Sequence, residues 1–127
     1  MSHSLREHFA NPSSGHSWGA RARDSVEDAR MILAELLGAA ARDLIWTSGA
    51  TESNNISIFG VAARAQNPIH IISQVTEHSA VLAPLAELEH RGHQVTLLSV
   101  DTEGMIDINE LCDALRPETR LVSLMHA

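Results

Sequence analysis

The chain has 127 residues, of which 44% are hydrophobic and 20% are charged, and its formal net charge is −7. That length and composition predict one folded domain and exclude a disordered polymer. The negative charge argues against nucleic acid or an anionic membrane as a partner. No apolar run approaches the ~18 residues of a membrane span, and the N-terminal sequence MSHSLREHF is not a signal peptide. We therefore expect a cytoplasmic protein.

Two residue counts limit the chemistry further. A single cysteine, Cys112, excludes an internal disulfide framework and a multi-cysteine metal site. All nine basic residues are arginine, so the sequence contains no lysine. Any reaction that requires a lysine amine cannot be carried out by these residues alone.

The predicted elements alternate between helix and strand. Residues 1–16 are predicted as a loop, because NPSSGH (11–16) carries turn dipeptides. Apolar residues at helical spacing predict a helix over 17–37, capped by Ser14 or Ser17 and ended by Gly38. The pattern further predicts helices over 50–65, 79–92 and 107–115, and strands over 43–48, 69–75, 93–100 and 119–127.

This alternation through short loops is typical of an α/β fold in which helices cover a mostly parallel sheet. About four strands and a single domain over 1–127 are expected. On the helix over 50–65, we expect Ile56, Ile58, Phe59 and Ala62 to face the core.

The segment TSGATESNN (47–55) lies between a predicted strand and a predicted helix. Gly49 permits a tight turn, and the first N–H groups of the helix, at Ala50, Thr51 and Glu52, lack partners within it. With the helix dipole and the hydroxyls of Ser48 and Thr51, they favour a bound phosphate. The alternative is an ordinary turn capped by Ser48. GxGxxG and GxxxxGK[ST] are absent, which argues against a dinucleotide site or a P-loop.

TEHSAV (76–81) also follows a predicted strand, at the edge where open α/β sheets bind ligands. If the two strands are neighbours, His78 lies close to the 48–51 turn, where an imidazole could stack on a flat ring or move a proton. The alternative is that His78 is a surface or helix-capping residue.

Taken in order, NPSSGH, TSGATESNN, TEHSAV, DTEGMIDINEL and RLVSLMHA resemble the class V aminotransferase group of pyridoxal-phosphate enzymes over essentially the whole chain. More narrowly, they resemble the cysteine desulfurases of the iron–sulfur-cluster and nitrogen-fixation type. The resemblance implies part of the large domain of a fold-type-I enzyme, a partial three-layer sandwich. The parent reaction takes sulfur from L-cysteine, leaving L-alanine and an enzyme persulfide for iron–sulfur clusters or thio-cofactors.

The resemblance also implies roles for individual residues. Ala50 and Thr51 match the positions that hold the cofactor phosphate, and His78 matches the histidine that stacks on the pyridine ring, where it could also transfer a proton. Parents of this family are homodimers, and a sulfur-acceptor or scaffold protein is a further expected partner.

The family's initial strand, the Schiff-base lysine and the downstream persulfide cysteine have no counterpart in the sequence. The resemblance therefore implies a segment truncated at both ends, inactive alone and unable to attach the cofactor covalently. Cys112 is expected to be a buried or half-buried structural residue, and the histidine spacing predicts no metal site. The alternatives are another class V enzyme such as a selenocysteine lyase, a non-catalytic anion-binding module, or a gene remnant.

Overall fold

The structure is a computed structural model that describes residues 6–7 and 9–126. It divides into two compact units, Met1–Trp46 and Thr47–Ala127. Most of the predicted N-terminal loop is described, and residues 9–16 form turns and bends there. Arg6 and Glu7 are helical, contrary to the prediction, and residues 1–5 and 8 lie outside the described residues.

The main element of the first unit is helix α1, Ser17–Leu37, whose bounds agree with the prediction. Gly38 ends it in the left-handed conformation, with φ of 63°, as predicted. The N-cap is neither predicted serine, because His16 occupies that position and its Nδ1 accepts from the Gly19 N–H at 3.2 Å. An imidazole nitrogen offers the same acceptor that a serine hydroxyl would supply.

The predicted strand over 43–48 is wrong. Ala41–Asp43 forms a 3₁₀ helix, and the following residues belong to no strand. A β-strand requires a neighbour for its ladder of hydrogen bonds, and no described strand pairs with this segment. This segment contacts a side chain of α1 instead of a strand. The Arg30 guanidinium donates to the Leu44 carbonyl and lies 5.4 Å from the Trp46 ring centroid.

The second unit carries the sheet. Its elements are α2, Ala50–Ala63; β1, His70–Gln74; α3, Ser79–His90; β2, Gln94–Leu98; α4, Ile108–Ala114; and β3, Thr119–Val122. The described strands form a three-stranded sheet of order β2-β1-β3, and both pairings are parallel. The predicted α/β class with a parallel sheet is confirmed, with three described strands where about four were expected. The last residue of the predicted 119–127 strand, Ala127, lies outside the described residues.

The core of this unit lies where α2 and α3 cover the central strand. Every residue of β1 is buried, whereas the strands on either side are partly exposed. The core consists of Ile58, Ala62, Ile69, Ile71, Val81, Leu85 and Leu88. Of the four residues expected on the buried side of α2, Ile58 and Ala62 are buried and Phe59 packs against the core. Ile56 is 42% exposed, because it lies on the opposite side of the helix.

The shared core places the N-termini of α2 and α3 together, beside the carboxyl end of β1. Across the part of the chain that the structure describes, no helix combines the length and the apolar character that crossing a membrane requires.

Candidate anion-binding site

The turn before α2 leaves the beginning of that helix open. Gly49 is the N-cap residue and has φ of 156° and ψ of −177°, a combination that is essentially restricted to glycine. Having no side chain, Gly49 cannot cap the helix, and no side-chain hydrogen bond replaces it. The N–H groups of Ala50, Thr51 and Glu52 therefore remain available to a ligand at the positive end of the helix dipole.

Side chains on both sides of Gly49 hold this turn. Glu52 Oε2 accepts from the backbone N–H of Ser48 at 2.6 Å and from its hydroxyl at 2.7 Å. The Thr47 and Ser53 hydroxyl oxygens lie 2.7 Å apart. Ser48 therefore neither caps the helix, as one interpretation predicted, nor offers its hydroxyl proton freely to an anion. Hydrogen bonds to the Ser48 backbone and side chain lower the pKa of the Glu52 carboxyl.

His78 begins α3 as its N-cap residue. Its Nδ1 accepts from the Ala80 N–H at 3.0 Å. The capping interpretation of His78 is therefore correct, and it has a chemical consequence. Because Nδ1 is an acceptor, the neutral ring carries its proton on Nε2. The cap fixes the ring while leaving its faces and Nε2 for other contacts.

Thr51 and His78 line the same pocket, which has a volume of about 400 Å³. The remaining lining residues come from α2 and α3: Asn55, Phe59, Ser79, Ala80, Ala83 and Pro84. The turn over 48–51 and His78 are therefore close together, as predicted. Both side chains are exposed, so a ligand can enter without displacing the core. Ala50 is the first residue of α2 and is not among the residues that line the pocket.

Sequence reasoning missed a second pocket, of about 490 Å³, at the carboxyl ends of β1 and β3. Its walls are Gln74, Thr76, residues 103–106 and residues 124–126. Thr76 and His78 lie two residues apart, so the turn after β1 contributes to both pockets. The signal that could have found the second pocket is topological, because loops that follow neighbouring parallel strands meet at one edge of the sheet.

The expectation for the single cysteine is wrong. Cys112 is exposed, contrary to the expected buried or half-buried position, because α4 has no buried residue and its leucine neighbours do not enclose the thiol. Among residues 6–7 and 9–126, no group of three or more histidine, cysteine or acidic side chains could hold a metal ion.

Comparison with known proteins decides the family. The family described as Aminotransferase class-V matches residues 1–127. The chain belongs to this family. The predicted resemblance is thereby confirmed, and class V enzymes of this kind depend on pyridoxal phosphate.

Among curated class V relatives, the cysteine desulfurase IscS of Dictyoglomus turgidum is 48% identical over 124 residues, which are 97% of this chain and 32% of the relative. The cysteine desulfurase IscS of Haemophilus ducreyi is 44% identical over 93% of this chain and 30% of the relative. The chain thus spans about a third of the length of the curated relatives that it matches.

Solved structures agree with this assignment. DndA from Streptomyces lividans superposes with a TM-score of 0.85 and 44% identity, over 98% of this chain and 36% of that protein. SspA, whose structure was solved in complex with cysteine, gives a TM-score of 0.81 and 35% identity, over 95% of this chain and 35% of that protein. The described architecture is therefore part of the fold of a class V enzyme.

Proposed function

We propose that this chain forms the phosphate cradle of a pyridoxal-phosphate-dependent cysteine desulfurase. Ala50 and Thr51 bind the cofactor phosphate, and His78 stacks on the cofactor ring. The observation that carries the proposal is the pocket shared by Thr51 and His78, beside a helix start that no side chain caps. The relatives named cysteine desulfurase support the reaction, which releases sulfur from L-cysteine for iron–sulfur clusters or other acceptors.

The residues present fit this cofactor. The N–H groups at the start of α2 and the Thr51 hydroxyl provide donors for a phosphate, and the charge-assisted hydrogen bonds that result are the strong kind. The His78 ring, held by its bond to Ala80, offers a fixed flat surface for the cofactor ring. When bound, pyridoxal phosphate supplies an electron sink for the substrate's α-carbon. The neutral ring carries its proton on Nε2, the nitrogen that the cap leaves free.

Two chemical groups of the proposed reaction, the lysine amine and the sulfur-accepting thiol, must come from residues other than these 127. The sequence has no lysine, so these 127 residues hold the cofactor without a covalent bond. Cys112 lies on α4 and lines neither of the two pockets described. We propose that Cys112 does not accept the substrate sulfur and that these residues alone do not release sulfide. A homodimeric parent, a sulfur-acceptor partner and a cytoplasmic location belong to the same proposal.

The first experiment measures cofactor binding. The purified chain is titrated with pyridoxal phosphate and with pyridoxal, and the heat of binding is measured by calorimetry. We expect pyridoxal phosphate to bind more tightly. Thr51→Val, which removes one hydroxyl, should weaken the binding of pyridoxal phosphate about ten- to a hundredfold, the effect of a hydrogen bond to a charged group, and leave the affinity for pyridoxal unchanged. Thr102→Val, at an exposed loop position, is the matched control. Equal affinities for the two ligands would contradict the proposed cradle.

The second experiment tests the reaction. Residues 1–127 replace the matching third of the Dictyoglomus turgidum cysteine desulfurase IscS, and sulfide release from L-cysteine is measured. We expect an active chimera that His78→Ala inactivates, and no sulfide from the 127-residue chain with added cofactor. Activity on selenocysteine without activity on cysteine would favour a selenocysteine lyase. Phosphate binding without activity in any chimera would favour a non-catalytic anion-binding module.

A further inference from the structure

His70 connects all three described strands. It is the first residue of β1, at the opposite end of that strand from His78, and its side chain is fully buried. Its Nε2 lies 2.8 Å from the Thr96 hydroxyl on β2, and its Nδ1 lies 2.8 Å from the Thr119 hydroxyl on β3. One side chain on the central strand therefore hydrogen-bonds to both neighbouring strands.

Thr119 has a second hydrogen-bond partner besides His70. Its hydroxyl oxygen already accepts from the backbone N–H of Arg116 at 2.8 Å. A hydroxyl has one proton to donate, and that proton can go to His70 Nδ1. In that tautomer the ring proton lies on Nε2 and is donated to Thr96, and in the other tautomer Nδ1 donates to Thr119 and Nε2 accepts from Thr96. The neutral imidazole thus satisfies both of its nitrogens without adding charge to the core.

The charged surroundings also oppose a second proton on the ring. The pKa of His70 is lowered, mainly by burial and next by the positive charge of Arg116, with Glu118 opposing the shift. The guanidinium of Arg116 is held in turn by Gln94, at the start of β2, at 2.6 Å. On the β2 side, the nearby titratable residue is His93, whose Nδ1 accepts from the Ile69 N–H at 3.2 Å.

The bond to Thr119 stands next to an irregularity in the sheet. His70 pairs with Thr119, but Ile71 pairs with Leu121, so Arg120 is an extra residue in β3. Leu121 packs against the core. A slip of one residue would turn Leu121 to the opposite face, because side chains alternate along a strand. The position of the extra residue therefore decides whether β3 contributes to the core.

We propose that His70 is a positioning residue that fixes the register of β3 on β1, and that acid weakens this function by protonating its ring. The register also sets where residues 124–126 meet Gln74 and Thr76 in the second pocket. At the carboxyl end, the Ser73 hydroxyl of β1 donates to the carbonyl of Ser123, the residue directly after β3, at 2.9 Å. The proposal is independent of the cofactor.

The direction of the pH effect follows from the lowered pKa. The unfolded chain takes up a proton at His70 near the ordinary value of about 6.5, whereas the folded chain does so only at lower pH. The stabilisation is therefore complete above about pH 6.5 and decreases as pH falls from there through the folded-state pKa. One such group changes the unfolding equilibrium constant by at most about tenfold per pH unit.

The first test compares the full chain with His70→Gln, whose amide both donates and accepts hydrogen bonds but does not titrate. Urea unfolding is measured from about pH 7.5 to about pH 5, a range that spans the ordinary histidine pKa. We expect the unfolding constant of the wild-type chain to rise more steeply with acid than that of His70→Gln, by up to about tenfold per pH unit. Identical pH profiles for the two proteins would overturn the acid sensitivity.

The second test separates the two hydrogen bonds of the ring. Thr119→Val removes the contact to β3 together with the acceptor of the Arg116 N–H, and Thr96→Val, the comparison variant, removes the contact to β2. Amide hydrogen exchange at neutral pH should rise several-fold more in Leu121 and Ser123 for Thr119→Val than for Thr96→Val. Equal effects would overturn the register function, and this pair also decides the proposal if His70→Gln does not fold.

Discussion

Replacing Gly49 with alanine tests whether the turn before α2 depends on backbone conformation alone. At φ of 156° and ψ of −177°, any residue with a Cβ is strained by about 1–3 kcal/mol. A Cβ built on Gly49 meets nothing within 4 Å, so no steric clash adds to that figure. We therefore expect Gly49→Ala to lower the free energy of unfolding by about 1–3 kcal/mol, or to relieve the strain by changing the turn.

A matched control lies in the same helix. Gly60 is inside α2, and a Cβ there also meets nothing within 4 Å. Its φ is not positive, so alanine relieves the entropic cost of glycine and should stabilise the protein by about 0.5–1 kcal/mol. The two substitutions add the same methyl group to open space, and only the backbone conformation gives them opposite signs.

The assay is urea unfolding of the purified chain and both variants, followed by far-ultraviolet circular dichroism of the helices, together with titration by pyridoxal phosphate. If Gly49→Ala keeps its stability by changing the turn, its affinity for the phosphate should fall, because the N–H groups of Ala50 and Thr51 move. A Gly49→Ala protein with wild-type stability and wild-type phosphate affinity would refute the reasoning. So would a loss of stability in Gly60→Ala of the same size.

Three further substitutions test the packing and the turn. Gly19→Ala should destabilise the first unit by about 1–3 kcal/mol in thermal unfolding, because its Cβ would lie 2.4 Å from the Ser14 carbonyl oxygen; an unchanged melting temperature would contradict this contact. Leu85→Ala should lower the free energy of urea unfolding by about 2–5 kcal/mol, since Leu85 is 1% exposed, and a loss below 1 kcal/mol would argue against the described core. Glu52→Ala should weaken pyridoxal phosphate binding, because Ser48 loses both hydrogen bonds, whereas Glu52→Gln keeps an acceptor and should bind nearly as the wild type; equal weakening in both variants would contradict this role of the acceptor.

The first and last residues of the helices could be predicted closely, because helix ends depend on residues that are adjacent in the sequence. Apolar spacing and Gly38 set α1 from Ser17 to Leu37, and the start of α2 follows from Gly49 and the small residues after it. The candidate phosphate turn was recognisable for the same reason, since the glycine and the open helix start are adjacent in the chain. The order of the motifs identified the family before any contact was known.

The pairing of strands and the hydrogen-bond partners of the side chains were decided only by the tertiary structure. Residues 43–48 have a strand-like composition, but no described strand lies beside them to complete a ladder. Glu52 accepts hydrogen bonds from Ser48, and His78 accepts one from the Ala80 N–H. Both contacts depend on side-chain directions, which the spacing of residues in the sequence does not fix. His70 offered no motif at all, because its two threonine partners lie 26 and 49 residues away. A sequence specifies which groups can hydrogen-bond, but distant groups become partners only when the packed strands hold them within about 3 Å.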